Sequence, residues 1–455
     1  MTSATSLRRL ALAAFLGNAL CLAVGCSSGS SGSDGTKTPK YPFGSRPQMY
    51  TTGTIRPSGG QAALDDAVKA KYQQWKDRYL IKGCGGYYVC ANEIPGTCKN
   101  DGAALLASTN DAGLGIDGQP VDLHLTVSEG HGYGMLIAVL MADVEPDARA
   151  IFDGFIALRN NFRSPYDNNL MSWHFDAGCA ITDVSDNDAA TDGDLDSAFA
   201  LLLAEKQWSS PHYGQQGRDI IESIRNRELN PATKLPLLGD WSKPSADPAD
   251  EALYFSTRTS DHMPDHFRQF ATASGNTDWT AAVDATYKLF DVMQTKFAPT
   301  TGLVSDFIKH TDGDPQPVAV GDADTALGED LTTDYDYNAC RVPWRLGTDY
   351  VVNGEARAKS VLTKMNTFIK TKTNNDPAMI LDGYSLAGEP HSDAGPNGCF
   401  TASFGVSAMI DASNQAWLDA IWKNLVDGPV DDYYGDTIRL ITMIVMSGNW
   451  WGPPA

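Results

Sequence analysis

The chain has 455 residues, with 35 Lys and Arg against 56 Asp and Glu, a formal net charge of −21. Nucleic acid and anionic membrane surfaces repel so acidic a chain, which argues against both as partners. The length allows two domains or one large one.

Arg8 and Arg9 precede an apolar run from Leu10 to Val24. A basic start followed by a run of that length reads as a signal peptide over residues 1–25, not as a membrane span. No later run is long and apolar enough to cross a bilayer. The segment ends Leu22-Ala-Val-Gly-Cys26, which resembles a bacterial lipobox. The resemblance implies lipidation at Cys26, an exported protein, and membrane attachment through the lipid alone; plain secretion is the alternative. Residues 26–40, rich in Ser, Gly, Thr and Lys, form a flexible tether. No second linker follows, so residues 41–455 are expected to form a single domain.

The first helix is predicted at 62–80, where Leu64, Val68, Trp75 and Tyr79 recur at helical spacing. Residues 81–126 look irregular. They hold Cys84, Cys90 and Cys98 in a glycine-rich insertion, where at least one local disulfide is expected. Zinc is the rival reading, although the spacings are not those of a paired CxxC site. Cys179, Cys340 and Cys399 complete the set, and Cys340 reads as a small buried residue.

The next helix, at 128–142, is predicted to be buried on every side from Met135 onward. Its start is Ser128-Glu129-Gly-His-Gly-Tyr133-Gly. Ser128 can cap the helix and Glu129 then stands at the positive end of the dipole. Alternating glycines are poor helix formers and make sense where the backbone must approach something closely. Further helices are predicted at 146–161, 195–208, 214–227, 261–273, 277–295, 341–352, 354–371, 401–411, 413–425 and 433–447. Residues 297–338 read as a long loop. About twelve helices result, apolar ones alternating with one-faced ones. Buried inner helices and amphipathic outer ones in turn predict an all-α fold, an (α/α)6 barrel.

Four motifs carry chemistry: Ser128-Glu129-Gly-His-Gly-Tyr133; Ala190-Thr-Asp192-Gly-Asp194-Leu-Asp196; Arg258-Thr-Ser-Asp261-His-Met-Pro-Asp265-His266; and Tyr335-Asp-Tyr-Asn338-Ala-Cys-Arg341. Read by themselves, Glu129 could be a helix-start acid, the Asp run a helix start, and His266 a hydrogen-bonded core residue. The run fails as a calcium loop because Ala190 and Phe199 fall where ligands belong.

In this order the motifs resemble glycoside hydrolase family 8, enzymes that cleave β-1,4-linked polysaccharides with inversion on an (α/α)6 barrel. The resemblance implies that Glu129 is the general acid and that Asp192 holds the sugar beside the scissile bond. It further implies substrate contact by Asp261, Arg341 and Asn338. One branch of the family carries its general base, an Asp, at the position of Asn338. An amide cannot take a proton from water, so the resemblance is to the other branch, whose base is a Glu in the preceding loop. Glu329 is the glutamate there, with Asp322, Asp324, Asp330 and Asp334 as rivals.

Of Trp173, Trp208, Tyr133, Trp344 and Trp451, Trp173 and Tyr133 are expected to give sugar rings a flat face. The expected activity is an inverting endo-β-1,4-glycanase on β-glucan. Chitosan and xylan are alternative substrates, and an inactive polysaccharide-binding protein or a lyase is an alternative class. No cofactor or metal is implied, and a monomer is expected.

Overall fold

In the helix Ser128–Leu140 (α2) twelve of thirteen residues are buried, including all three glycines. Such a helix has no wet face and must lie inside a ring of others. The computed structural model supplies that ring. It describes residues 38–91, 124–176, 178–181, 187–319, 333–392 and 394–453. The chain divides into Met1–Asp34 and Gly35–Ala455, and every described residue lies in the second unit.

Twelve helices of eleven or more residues alternate in character among the described residues. Gln61–Tyr79 (α1), Ala148–Asn161 (α3) and Pro211–Arg227 (α5) bury one stripe each. Thr191–Trp208 (α4) is buried nearly throughout. A short helix, Pro248–Tyr254 (α6), was not legible in the periodicity. Then come Pro264–Ser274 (α7), Asp278–Lys296 (α8), Val342–Asn353 (α9), Ala356–Lys372 (α10), Gly398–Ala408 (α11), Gln415–Asp427 (α12) and Tyr433–Met446 (α13).

α2 packs on α4, α4 on α7, α7 on α9, α9 on α11, α11 on α13, and α13 returns to α2. The inner ring is closed. Each inner helix also packs on an outer one: α2 on α3, α4 on α5, α7 on α8, α9 on α10, α11 on α12 and α13 on α1. This is the expected (α/α)6 barrel. Of the stripe that helical spacing picks out on α10, Ala358, Val361, Leu362, Met365 and Ile369 are buried, and Phe368 is partly buried. α7 and α9 both end in a glycine with positive φ, Gly275 at 69° and Gly354 at 72°, the left-handed turn that stops a helix.

Short strands on the connecting loops hold the inner helix starts in place. The stretch expected to be irregular, 81–126, instead overlaps the hairpin Leu80–Gly83 (β1) with Gly86–Val89 (β2), and the strand His124–Val127 (β3). β3 pairs with His174–Asp176 (β4). Thr257–Arg258 (β5), Phe307–Lys309 (β6) and Gln316–Pro317 (β7) form a second small sheet.

One cysteine, Cys340, differs from expectation. Cys84 bonds Cys179, at a separation of 95 residues, and Cys340 bonds Cys399 at 59. Cys340 is thus not a free buried thiol. It ties the start of α9 to the start of α11. Cys90 is also disulfide-bonded, whereas Cys98 lies outside the described residues. So do Cys26, the predicted signal segment and Glu329. Among the described residues no helix is long and apolar enough to cross a membrane.

Candidate active site

The starts of α2 and α4 meet through glycine. A Cβ on Gly193 would lie 2.4 Å from the carbonyl carbon of Ser128, and one on Gly132 would lie 2.8 Å from Cβ of Asp196. Only bare backbone fits there. The third glycine, Gly130, faces the ring of Tyr433, 3.3 Å from where a Cβ would be. The glycines therefore serve helix-to-helix contact, and the contact brings Glu129 beside Asp192. Neither helix has a side-chain cap, since the N-cap positions are Val127 and Ala190. Ser128 is the first helical residue, not the cap its type suggested. By contrast α11 and α13 are capped by Asn397 and Asp432.

One guanidinium joins the two carboxylates. Nη1 of Arg341 pairs with Oε2 of Glu129 and donates to Oδ2 of Asp192 at 3.0 Å. The other oxygen of Glu129 accepts from the Tyr433 hydroxyl at 2.9 Å. Arg258 adds a second cation 3.4 Å from Asp192. Asp192 also accepts from the N–H of Gly193 at 2.9 Å, so it serves its own helix start as well.

These contacts separate the two acids. Burial pushes the Glu129 carboxyl above its ordinary range; Arg341 opposes this, Asp192 adds to it, and the Tyr433 hydrogen bond opposes it. Burial pushes Asp192 up too, but Arg258 and Arg341 outweigh it and hold the carboxyl low. One group is inclined to keep its proton and its neighbour to lose one.

The other acids of the run have their own arginines. Asp194 meets Arg159 at 2.6 Å. Asp196 meets Arg345 at 2.6 Å and His266 at 2.9 Å, and these contacts hold it at about 2 despite burial. His266 stacks on Phe199 at 3.9 Å, so it is a core residue locking α4 to α7 and α9. Among the described residues no group of three or more His, Cys, Asp or Glu is placed to hold a metal ion.

Two predicted substrate contacts are not on an open surface. Tyr133 is fully buried, its ring packed against Trp344 at 5.8 Å and its hydroxyl 3.4 Å from Arg341. It offers no face to a sugar, because the glycines that free space around α2 admit other helices instead. Asp261 is also fully buried, behind Arg258 at 3.5 Å, and burial pushes its carboxyl to about 7.

Arg341 is 2% exposed at its side chain, against 13% for Glu129, so it faces the carboxylates more than the cleft. Asn338 accepts from Arg341 through Oδ1 at 3.0 Å. Trp173 is half-buried beside the start of α2, with the N–H of Ser128 bonded to its carbonyl at 2.7 Å. Trp208 and Trp344 are core, and Trp451 stacks on Tyr41 at 4.5 Å.

Sequence reasoning did not single out Arg258 or Asp306. Arg258 opens a quoted motif. Asp306 stands in Leu303-Val-Ser-Asp306-Phe, which has no signal at all.

A six-fold helical barrel that gathers, at the mouths of two inner helices, a carboxyl pushed up by burial and one held low by arginines has the fold and chemistry of a glycoside hydrolase. The chain belongs to glycosyl hydrolase family 8, whose model matches residues 119–448. It is 37% identical over 420 residues to the beta-glucanase of Niallia circulans, covering 91% of this chain and 92% of that protein. To the endoglucanase of Bacillus sp. strain KSM-330 it is 34% identical over 432 residues, covering 89% and 81%. The apo structure of a beta-1,3-1,4-glucanase from Paenibacillus sp. X4 superposes with a TM-score of 0.77 at 36% identity, over 91% of this chain and 100% of that one.

Proposed function

We propose that the chain is an inverting endo-β-1,4-glycanase acting on cellulose-like or mixed-linkage β-glucan. The observation that carries the mechanism is the single Arg341 nitrogen shared by Glu129 and Asp192. It places a carboxyl inclined to stay protonated beside one inclined to ionise. The names of these three relatives, each a glucanase, support the choice of polymer.

In the proposed reaction the Glu129 proton passes to the glycosidic oxygen as the bond from C1 to that oxygen breaks. Asp192, kept ionised by its two arginines, holds the sugar at the reacting carbon and favours the positive charge that develops there. Water attacks the opposite face and gives its proton to Glu329, leaving a product of inverted configuration. Acid and base in such a reaction stand roughly 6.5–9.5 Å apart to admit that water. Trp173 supplies a platform for a neighbouring sugar ring.

Export with a lipid on Cys26 is part of the proposal, supported by the run from Leu10 to Cys26; so is a monomeric enzyme. The test is reducing-sugar release by residues 27–455 from carboxymethyl cellulose, mixed-linkage β-glucan, xylan and chitosan, with the product anomer followed by NMR. Release from a glucan with α-configured product is expected. Release from chitosan alone would change the substrate and keep the mechanism. β-Configured product would overturn inversion.

A further inference from the structure

Asp306 lies just before β6 and is 5% exposed. The pairing of β5 with β6 sets Arg258 opposite Phe307 and so brings Asp306 level with Thr259; its backbone bonds Thr259 and Asp334 at 2.9 Å each. Its carboxylate accepts four hydrogen bonds. Oδ1 takes the N–H of Asp336 at 3.0 Å and of Ala339 at 2.7 Å. Oδ2 takes the N–H of Asn338 at 3.1 Å and its side-chain Nδ2 at 3.0 Å. The far end of the same amide, Oδ1, then accepts from Nη2 of Arg341 at 3.0 Å.

An ionised carboxylate only accepts and a guanidinium only donates. A side chain spanning the two must donate at one end and accept at the other, which an amide does and a carboxylate does not. From this geometry we infer that Asp306 is a positioning residue that requires an amide at position 338, and through it orients the Arg341 guanidinium that holds Glu129 and Asp192.

The absence of an acid at position 338 thus has a structural cause. An aspartate there would stand about 3 Å from Asp306, and two carboxylates so close cannot both ionise. At low pH the shared proton would let the introduced carboxyl donate as the amide does. The titratable groups that bear on Asp306 are Asp336 and Tyr335 in the same loop and Tyr434 on α13, with Arg341 beyond the amide.

The test compares Asn338→Asp, Asn338→Leu and the double variant Asp306→Asn/Asn338→Asp. Leucine removes both hydrogen bonds without adding charge. At pH 8 the Asp variant is expected to hydrolyse mixed-linkage glucan about tenfold more slowly than the Leu variant. From pH 8 to pH 5 its rate should climb about tenfold relative to the Leu variant, as the shared proton is taken up. The double variant restores a donor at position 306 and should recover about tenfold at pH 8, though it loses the bond from the N–H of residue 338. Asp and Leu variants with equal rates at every pH, or purely multiplicative losses in the double variant, would overturn the inference.

The activity arm rests on the proposed glucanase reaction. Thermal melts of the same proteins need no substrate and should give the same order. That order in the melts without glucan hydrolysis by the parent would refute the reaction and leave the Asp306 inference standing.

Discussion

Replacing Glu129 by Gln should remove a proton and leave the architecture. Oε1 of Glu129 accepts from Tyr433 and Oε2 meets Arg341. Arginine cannot accept, so the glutamine oxygen must face it. The new amide nitrogen then faces the Tyr433 hydroxyl, which can rotate and accept instead. Both contacts survive, and the unfolding free energy should move by no more than about 1 kcal/mol. The rate should not survive. General acid catalysis contributes about 10²–10⁴-fold, or about 3–5 kcal/mol of barrier. The discriminating assay pairs mixed-linkage glucan, whose leaving sugar needs the proton, with a dinitrophenyl cello-oligosaccharide, whose leaving group does not. We expect a loss of about 10²–10⁴-fold on glucan and less than about tenfold on the activated substrate. An equal loss on both would show that Glu129 acts otherwise than by protonating the leaving oxygen. Unchanged hydrolysis of glucan would remove it from the mechanism.

Gly193→Ala should force α2 and α4 apart, since its Cβ would meet Ser128 backbone at 2.4 Å. Overpacking of this kind costs about 1–3 kcal/mol, and an unchanged urea midpoint would refute the close approach. The Cys340–Cys399 bond spans 59 residues, a closure with a chain entropy of about 4 kcal/mol. Cys399→Ser should therefore lower the melting temperature, and activity with it, because Cys340 adjoins Arg341. Stability should fall between about pH 4 and pH 7, the window bounded by the ordinary carboxyl value and by burial-raised values of about 7 for Asp194, Asp261 and Asp265 and about 6 for Asp306. Carboxyls raised in the fold bind more protons folded than unfolded, so their stabilisation is full below the unfolded value and lost as pH rises through the folded one. His131 and His262, lowered to about 3 by burial, act oppositely below about 6.5 but are fewer. A melting temperature higher at pH 8 than at pH 5 would contradict the balance. Trp173→Ala should raise KM on glucan several-fold with little change in kcat; an unaltered KM would take it out of the cleft.

Much of the barrel was legible because helical periodicity is local. The stripe on α10 and the uniformly apolar body of α2 each state, within a few turns, which faces must be dry. The alternation of such helices then allowed few architectures. The four motifs likewise identified the helix starts and loops that meet at the site, and Glu129 and Asp192 were visible as acids at the heads of buried helices.

Partnership was not legible, because it is made between residues far apart in the chain. Arg341 and Glu129 are 212 positions apart. Nothing near Asp192, Asp194 or Asp196 announces that each is matched by arginines from different helices and loops, so the run read as one acidic feature and proved to be three separate ion pairs. Tyr133 looked like a platform because a tyrosine among glycines suggests open space. The tertiary structure filled that space with neighbouring helices and turned the ring into core. Cys340 read as a small apolar residue until the fold placed Cys399 beside it. Local sequence thus determined which segments are helical, which faces are buried and which residue types stand at the helix starts. Only closure of the ring decided which charges meet, which side chains reach the cleft and which carboxyl keeps its proton, since those depend on burial and on cations delivered from distant parts of the chain.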